Sequence, residues 1–170
     1  MAKYSNTSVA GFAEYMEARG REIPGTWTDE IIDAALLLAS EWIDGVYGRL
    51  FSGQKAGGFL QDREWPRTGA YSNTIPVYTF PSDVIPDQIA SAVYEAAFKQ
   101  ASNPGSLIVD YTPGKYKSVS IEGALSVEYA QFSSASEVQT QFSLIDMILD
   151  PLLAALGAGF SSYSGVASRV

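Results

Sequence analysis

Thr28-Asp29-Glu30-Ile31-Ile32-Asp33-Ala34-Ala35-Leu36-Leu37-Leu38-Ala39-Ser40-Glu41-Trp42-Ile43-Asp44-Gly45-Val46-Tyr47-Gly48-Arg49-Leu50 decides the fold class. Its apolar residues recur at Ile32, Ala35, Leu36, Ala39, Trp42, Ile43, Val46, Tyr47 and Leu50, in steps of three and four. Asp33, Ser40, Glu41 and Asp44 fall on other faces. That spacing lays one apolar stripe along a helix and predicts a long amphipathic helix over about 28–50. Thr28 suits the N-cap, and Asp29 and Glu30 stand in the first turn, where the helix dipole favours carboxylates.

Working outward, Val9, Phe12, Ala13 and Met16 share a face, so a first helix is expected over about 8–19, stopped by Gly20. Beyond Gly48 helical periodicity vanishes until about Pro86. That stretch holds Gly53, Gly57, Gly58, Gly69 and several prolines, and reads as a long central loop. A third helix is expected over about 86–101, with Pro86 at its first position and a stripe of Ile89, Ala90, Val93, Ala96, Ala97 and Gln100. Asn103-Pro104-Gly105 ends it. Leu107-Ile108-Val109 ahead of Pro113-Gly114 has β character followed by a type II turn signature. Val119, Ile121, Leu125, Val127 and Tyr129 then alternate with small or polar residues. A three-residue loop at Glu122–Ala124 would pair Ile121 with Leu125 and Val119 with Val127, keeping one apolar face, so a β-hairpin is expected over about 116–130. A single strand kinked at Gly123 also fits. Ser143 is expected to cap a last helix over about 143–156, with Pro151 kinking or restarting it. The fold class is therefore mainly α: a small helical bundle with a long central loop, a β-hairpin and a C-terminal helix or extension. Residues 1–156 read as one domain. The Gly- and Ser-rich tail 157–170 is expected to be flexible or ordered by a partner.

The chain has 170 residues, 46% of them hydrophobic, with a net charge of −8. It contains no cysteine and no histidine. Disulfide scaffolds, zinc sites built on Cys or His, cysteine nucleophiles and Ser-His-Asp triads are thereby excluded. The acidic balance argues against broad nucleic-acid affinity, which comes from neutralising phosphates with Lys and Arg. No N-terminal run has the apolar core of a signal peptide, and the longest apolar run, Ala34–Ala39, is too short to span a bilayer. A soluble chain without membrane contact is expected, and the Asn6-Thr7-Ser8 sequon reads as chance.

Few residue patterns carry chemistry. Glu14/Glu17, Asp29/Glu30 and Asp146/Asp150 are closely spaced carboxylates, but each falls on an expected helix surface or first turn, where solvation accounts for it. Gly53-Gln54-Lys55-Ala56-Gly57-Gly58 lacks the Gly-Lys-Ser/Thr ending of a phosphate loop and follows a helix rather than a strand. No catalytic residue, cofactor site or metal site is expected. Gln61-Asp62-Arg63-Glu64-Trp65-Pro66-Arg67 is the most unusual segment: polar and charged around one large aromatic. Its Trp can dock on the chain's own helices, or the segment can serve a partner, since Trp and Arg dominate interface hot spots. Between Gly48 and Tyr71 four basic residues (Arg49, Lys55, Arg63, Arg67) face two acidic ones (Asp62, Glu64), a balance of +2 that leaves −10 elsewhere. Ser118–Ser168 holds five acidic residues and no basic one. This segregation suits self-association of a basic loop with an acidic neighbour.

The order of these features resembles the head–tail connector (adaptor) proteins of tailed bacteriophages, a group that includes proteins described as DnaT-like and single-stranded-DNA-binding. The resemblance runs over about 8–156. It rests on Ala18-Arg19-Gly20, Trp27 ahead of the long helix, Gln61–Ala70 around Glu64-Trp65-Pro66-Arg67, Ile85-Pro86-Asp87-Gln88-Ile89, Gly123–Tyr129 and Ile145–Leu153. Arg63 departs from it, standing where a small or apolar residue is expected. The resemblance implies a structural virion protein: a ring, usually of twelve subunits, between the portal and the next tail or stopper component, with a lumen that passes double-stranded DNA. It implies no catalysis and no cofactor, and a place in the virion neck after assembly in the host cytoplasm. The expected contact residues are Arg63, Trp65, Pro66 and Arg67 in the loop, with Leu152, Leu153, Phe160 and Tyr163 in the C-terminal segment. The alternative is a single-stranded-DNA-binding module, for which ten Tyr and three Trp offer stacking faces.

Overall fold

The computed structural model describes residues 2–74, 77–107, 119–121, 125–127 and 142–154. Among these the fold is mainly α. Helix α1 is Val9–Glu17, α2 is Asp29–Tyr47, α3 is Asp87–Ser102 and α4 is Ser143–Leu149. The Ser8 side chain accepts the Gly11 N–H at 3.0 Å and so caps α1. The helix closes two residues earlier than its periodicity suggested, because the Arg21 N–H reaches back to the Met16 carbonyl while Gly20 takes a φ of 64°. Thr28 does occupy the N-cap of α2 in extended backbone. Its hydroxyl engages Glu30, which holds that carboxyl below its ordinary range.

Helices α2 and α3 form the centre. Both carry alanines where they meet (Ala35 and Ala39; Ala92, Ala96 and Ala97), all buried, so the backbones approach closely. Leu36, Ile43, Ile89 and Val93 fill the remaining space, and Phe12 and Met16 of α1 and Ile145 and Leu149 of α4 join the same core. The two central helices run in opposite directions. Trp27, just ahead of α2, packs on Phe98 near the end of α3, whereas Phe51 and Trp65, past α2, lead to Phe80 ahead of α3. More of α3 is buried than its stripe foretold, since Ala92, Tyr94 and Glu95 are covered too.

Two helix starts differ from the sequence reading. Pro86 is the N-cap of α3, in extended backbone, and the helix begins at Asp87. Phe142, not Ser143, is the N-cap residue of α4, and no side chain caps it. Helix α4 also stops at Leu149 and gives way to a 3-10 turn over Asp150–Leu152, far short of residue 156. Pro151 is the reason: it has no N–H to continue the α ladder.

The long central segment is more ordered than a plain loop. Strand β1 (Gln54–Lys55) pairs antiparallel with β2 (Arg67–Thr68), and isolated bridges join Phe51 to Leu153 and Tyr71 to Thr79. Gly53 takes a φ of 73°, and a Cβ there would stand 2.5 Å from the Thr68 carbonyl oxygen, so only glycine fits this crossing. The expected hairpin is present: β3 (Val119–Ile121) pairs antiparallel with β4 (Leu125–Val127), with Ile121 opposite Leu125 and Val119 opposite Val127. The Pro113-Gly114 turn and the tail 157–170 lie outside the described residues.

Candidate functional site

The Arg63–Arg67 segment sits inside the chain. Arg63 is buried, donates to the Ala2 carbonyl and to Asp44 Oδ2 (3.1 Å), and lies 3.6 Å from Glu41 Oε1. Arg67 is buried as well. It donates to the carbonyls of Ser52 (2.8 Å) and Gly53 (2.7 Å) and to Glu64 Oε2 (2.6 Å). Lys55 reaches Glu64 Oε1 at 3.0 Å. The Trp65 ring is held edge-on between Phe51 and Phe80, at 5.7 and 5.6 Å, and the Trp65-Pro66 peptide bond that follows it is cis. Asp44 lies among these groups. Burial lifts its carboxyl above the ordinary range, while Tyr4 and Arg63 pull the other way. The Tyr4 phenol, donating to Asp44, is pushed up by burial and then by that charge.

The segment's cations therefore answer carboxylates and carbonyls of their own chain. As surface contacts the expected residues need correcting: Arg63, Trp65 and Arg67 are buried and Pro66 is half-buried. Leu152 is also buried, and Leu153 is partly covered through its bridge to Phe51. Phe160 and Tyr163 lie outside the described residues.

Just ahead of this segment two large apolar side chains are exposed. Phe59 and Leu60 are 99% and 90% accessible. They sit on a 3-10 turn over Gly58–Leu60, braced by Gln61, whose Oε1 accepts the Gly57 N–H at 2.7 Å and whose Nε2 donates to the Arg63 and Pro66 carbonyls. The turn is thus a stiff tip with two bare side chains, beside the exposed Asp62.

A cleft of about 610 Å³ opens where α3 finishes and α4 begins. Glu95, buried, lines it and is met by Arg21 (2.6 Å), the Tyr15 hydroxyl (3.2 Å) and Arg19 (3.5 Å). Burial first and the Glu95 charge second push the Tyr15 phenol up to about 12. The Arg21 guanidinium lies 5.2 Å from the Phe98 ring centre and Lys99 Nζ lies 5.1 Å from that of Phe142. Trp27 and Trp42 back the two rings edge-on, at 5.5 and 5.0 Å. Among the described residues no carboxylate lies within ion-pair reach of Lys99, whose α-helix holds it in place through its last turn.

Two supported aromatic rings, each with a cation against it, are chemically suited to a flat ring bearing a negative group. Sequence reasoning did not single out Arg21, Phe98, Lys99 or Phe142. Arg21 follows the glycine that ends α1, Phe98 and Lys99 lie off the α3 stripe, and Phe142 is more than forty positions further on. Only the packing of α4 on α3 brings them together. The one local signal is the Phe98-Lys99 pair in the last turn of a helix.

A sequence model of the family described as "Putative DnaT-like ssDNA binding protein" matches residues 3–170. No curated protein and no solved structure matches the chain.

Proposed function

On the premise that this chain belongs to the putative DnaT-like ssDNA binding protein family, we propose that it binds single-stranded DNA, one base at a time entering the cleft between α3 and α4. The observation that carries this is the pairing of ring and cation on both walls, Phe98 with Arg21 and Phe142 with Lys99. A base that displaces the cation from over a phenyl ring stacks on the face it uncovers, which is worth about 1–3 kcal/mol and does not depend on sequence. The adjacent phosphate meets Lys99 and the outer edge of Arg21. With a chain charge of −8 and two cations at the cleft, affinity is modest and falls with salt. For the one phosphate neutralised on a single strand, the slope of log K against log salt is about −0.7. Titrating a fluorescent oligothymidylate at low and moderate salt tests this. Binding lost in Phe142→Ala and Lys99→Glu supports the cleft, and binding of equal strength in wild type and both variants removes it.

A second reading keeps the head–tail adaptor. It is favoured by the bare Phe59 and Leu60 on a braced turn, a form of exposed apolar surface that protein contacts use. In this reading the chain is a structural virion protein of the neck, without enzymatic activity or cofactor. It forms a ring of twelve subunits between the portal and a tail or stopper protein, and an acidic lumen lets double-stranded DNA slide without holding it. Light scattering of the chain alone and with portal protein tests it: a ring-sized mass in either case supports the adaptor, and a monomer in both contradicts it.

A further inference from the structure

We propose that the Phe59–Leu60 tip of one molecule plugs the α3–α4 cleft of a second copy of this chain, so that self-association and occupation of the cleft by a base exclude each other. The contact itself stands apart from the DNA reading; only the competition rests on it.

Three observations point to a second copy as the occupant. Within one molecule Phe59 and Leu60 stay 99% and 90% exposed and take no part in lining the cleft, so the tip does not fill the cleft of its own chain. The cleft has about 610 Å³ and walls formed by Phe98, Phe142 and Leu144, which suits two apolar side chains. The charges also match: Asp62 is exposed beside the tip, and at the cleft Glu95 answers Arg21 while Lys99 has no carboxylate within ion-pair reach among the described residues. The tip needs little ordering before it docks, because Gln61 already holds the turn through Gly57, Arg63 and Pro66. A patch unlike its partner patch gives a head-to-tail, heterologous contact. Two plugged side chains bury much less than the roughly 1,200–2,000 Å² of a stable pair, so each contact is weak and concentration-dependent.

The absence of native cysteine makes a clean test possible. Leu60→Cys and Leu144→Cys are made in separate full-length chains and treated with a short bis-maleimide, singly and mixed, at the highest concentration that stays in solution. The expected product is a covalent pair in the mixture that neither variant forms alone, reduced at least tenfold when Phe59→Ser is added to the Leu60→Cys chain. No mixed pair, or an equal yield from either variant alone, overturns the proposal. Adding excess oligothymidylate is expected to suppress the mixed pair. If wild type binds no oligonucleotide and the pair still forms, the DNA reading fails and the tip contact stands. If wild type binds DNA in the cleft and the pair is undiminished at saturation, the mutual exclusion is overturned.

Discussion

The Arg63–Arg67 segment and the α3–α4 cleft are built from the same materials, cations next to aromatic rings, and differ in what the cations face. Arg63 and Arg67 point inward onto Asp44, Glu64 and backbone carbonyls. Lys99 faces a ring and an open cleft. The first arrangement fixes a long irregular segment against the end of α2. The second leaves a charge able to answer a ligand. A basic segment in a sequence is thus no measure of a basic surface.

The sharpest way to break this contrast is to remove one cation from each region. Arg67→Ala leaves the Ser52 and Gly53 carbonyls without their donor and Glu64 with Lys55 alone, and is expected to cost about 3–5 kcal/mol of stability, read from urea unfolding. Lys99→Ala is expected to stay within about 0.5 kcal/mol of wild type in the same experiment. Equal losses in the two variants would abolish the distinction. Trp65→Ala should cost nearly as much as Arg67→Ala, about 3–5 kcal/mol, since it empties the space between Phe51 and Phe80. Gly53→Ala comes next, at about 1–3 kcal/mol, because the backbone there is left-handed and the Thr68 carbonyl blocks a Cβ. The smallest effect is a pH dependence at the cleft. Tyr15 has an ordinary value near 10 and is pushed up to about 12 in the fold. The folded state therefore holds this proton more tightly, and the stability linked to it is complete below pH 10 and lost as pH rises through 12. Tyr15→Phe should flatten part of that alkaline decline in thermal unfolding scans.

The helical frame was legible because periodicity is a local property: Ile32 through Tyr47 state the buried face of α2 without help from the rest of the chain. The hairpin register was legible for a similar reason, since only an odd loop keeps Val119, Ile121, Leu125 and Val127 on one face. Helix ends were harder, as Pro86 and Ser143 each fit two neighbouring positions and only the backbone chooses between them. The direction in which Arg63 and Arg67 point was not legible. It depends on Asp44 and Glu41 of α2 and on the Ser52 and Gly53 carbonyls, which the fold brings to them. The cleft was hidden for the same reason, because Arg21, Phe98, Lys99 and Phe142 belong to three separate parts of the chain.

The measurement that reaches the central claim most directly is the salt dependence of oligothymidylate binding, taken for wild type, Lys99→Ala and a charge-neutral change in the tip, Phe59→Ser. If the Lys99 cation of the cleft carries the contact, wild type gives a slope of about −0.7, Lys99→Ala a slope near zero, and Phe59→Ser the wild-type value. A wild-type slope that Lys99→Ala leaves unchanged, or no binding at low salt, would contradict it.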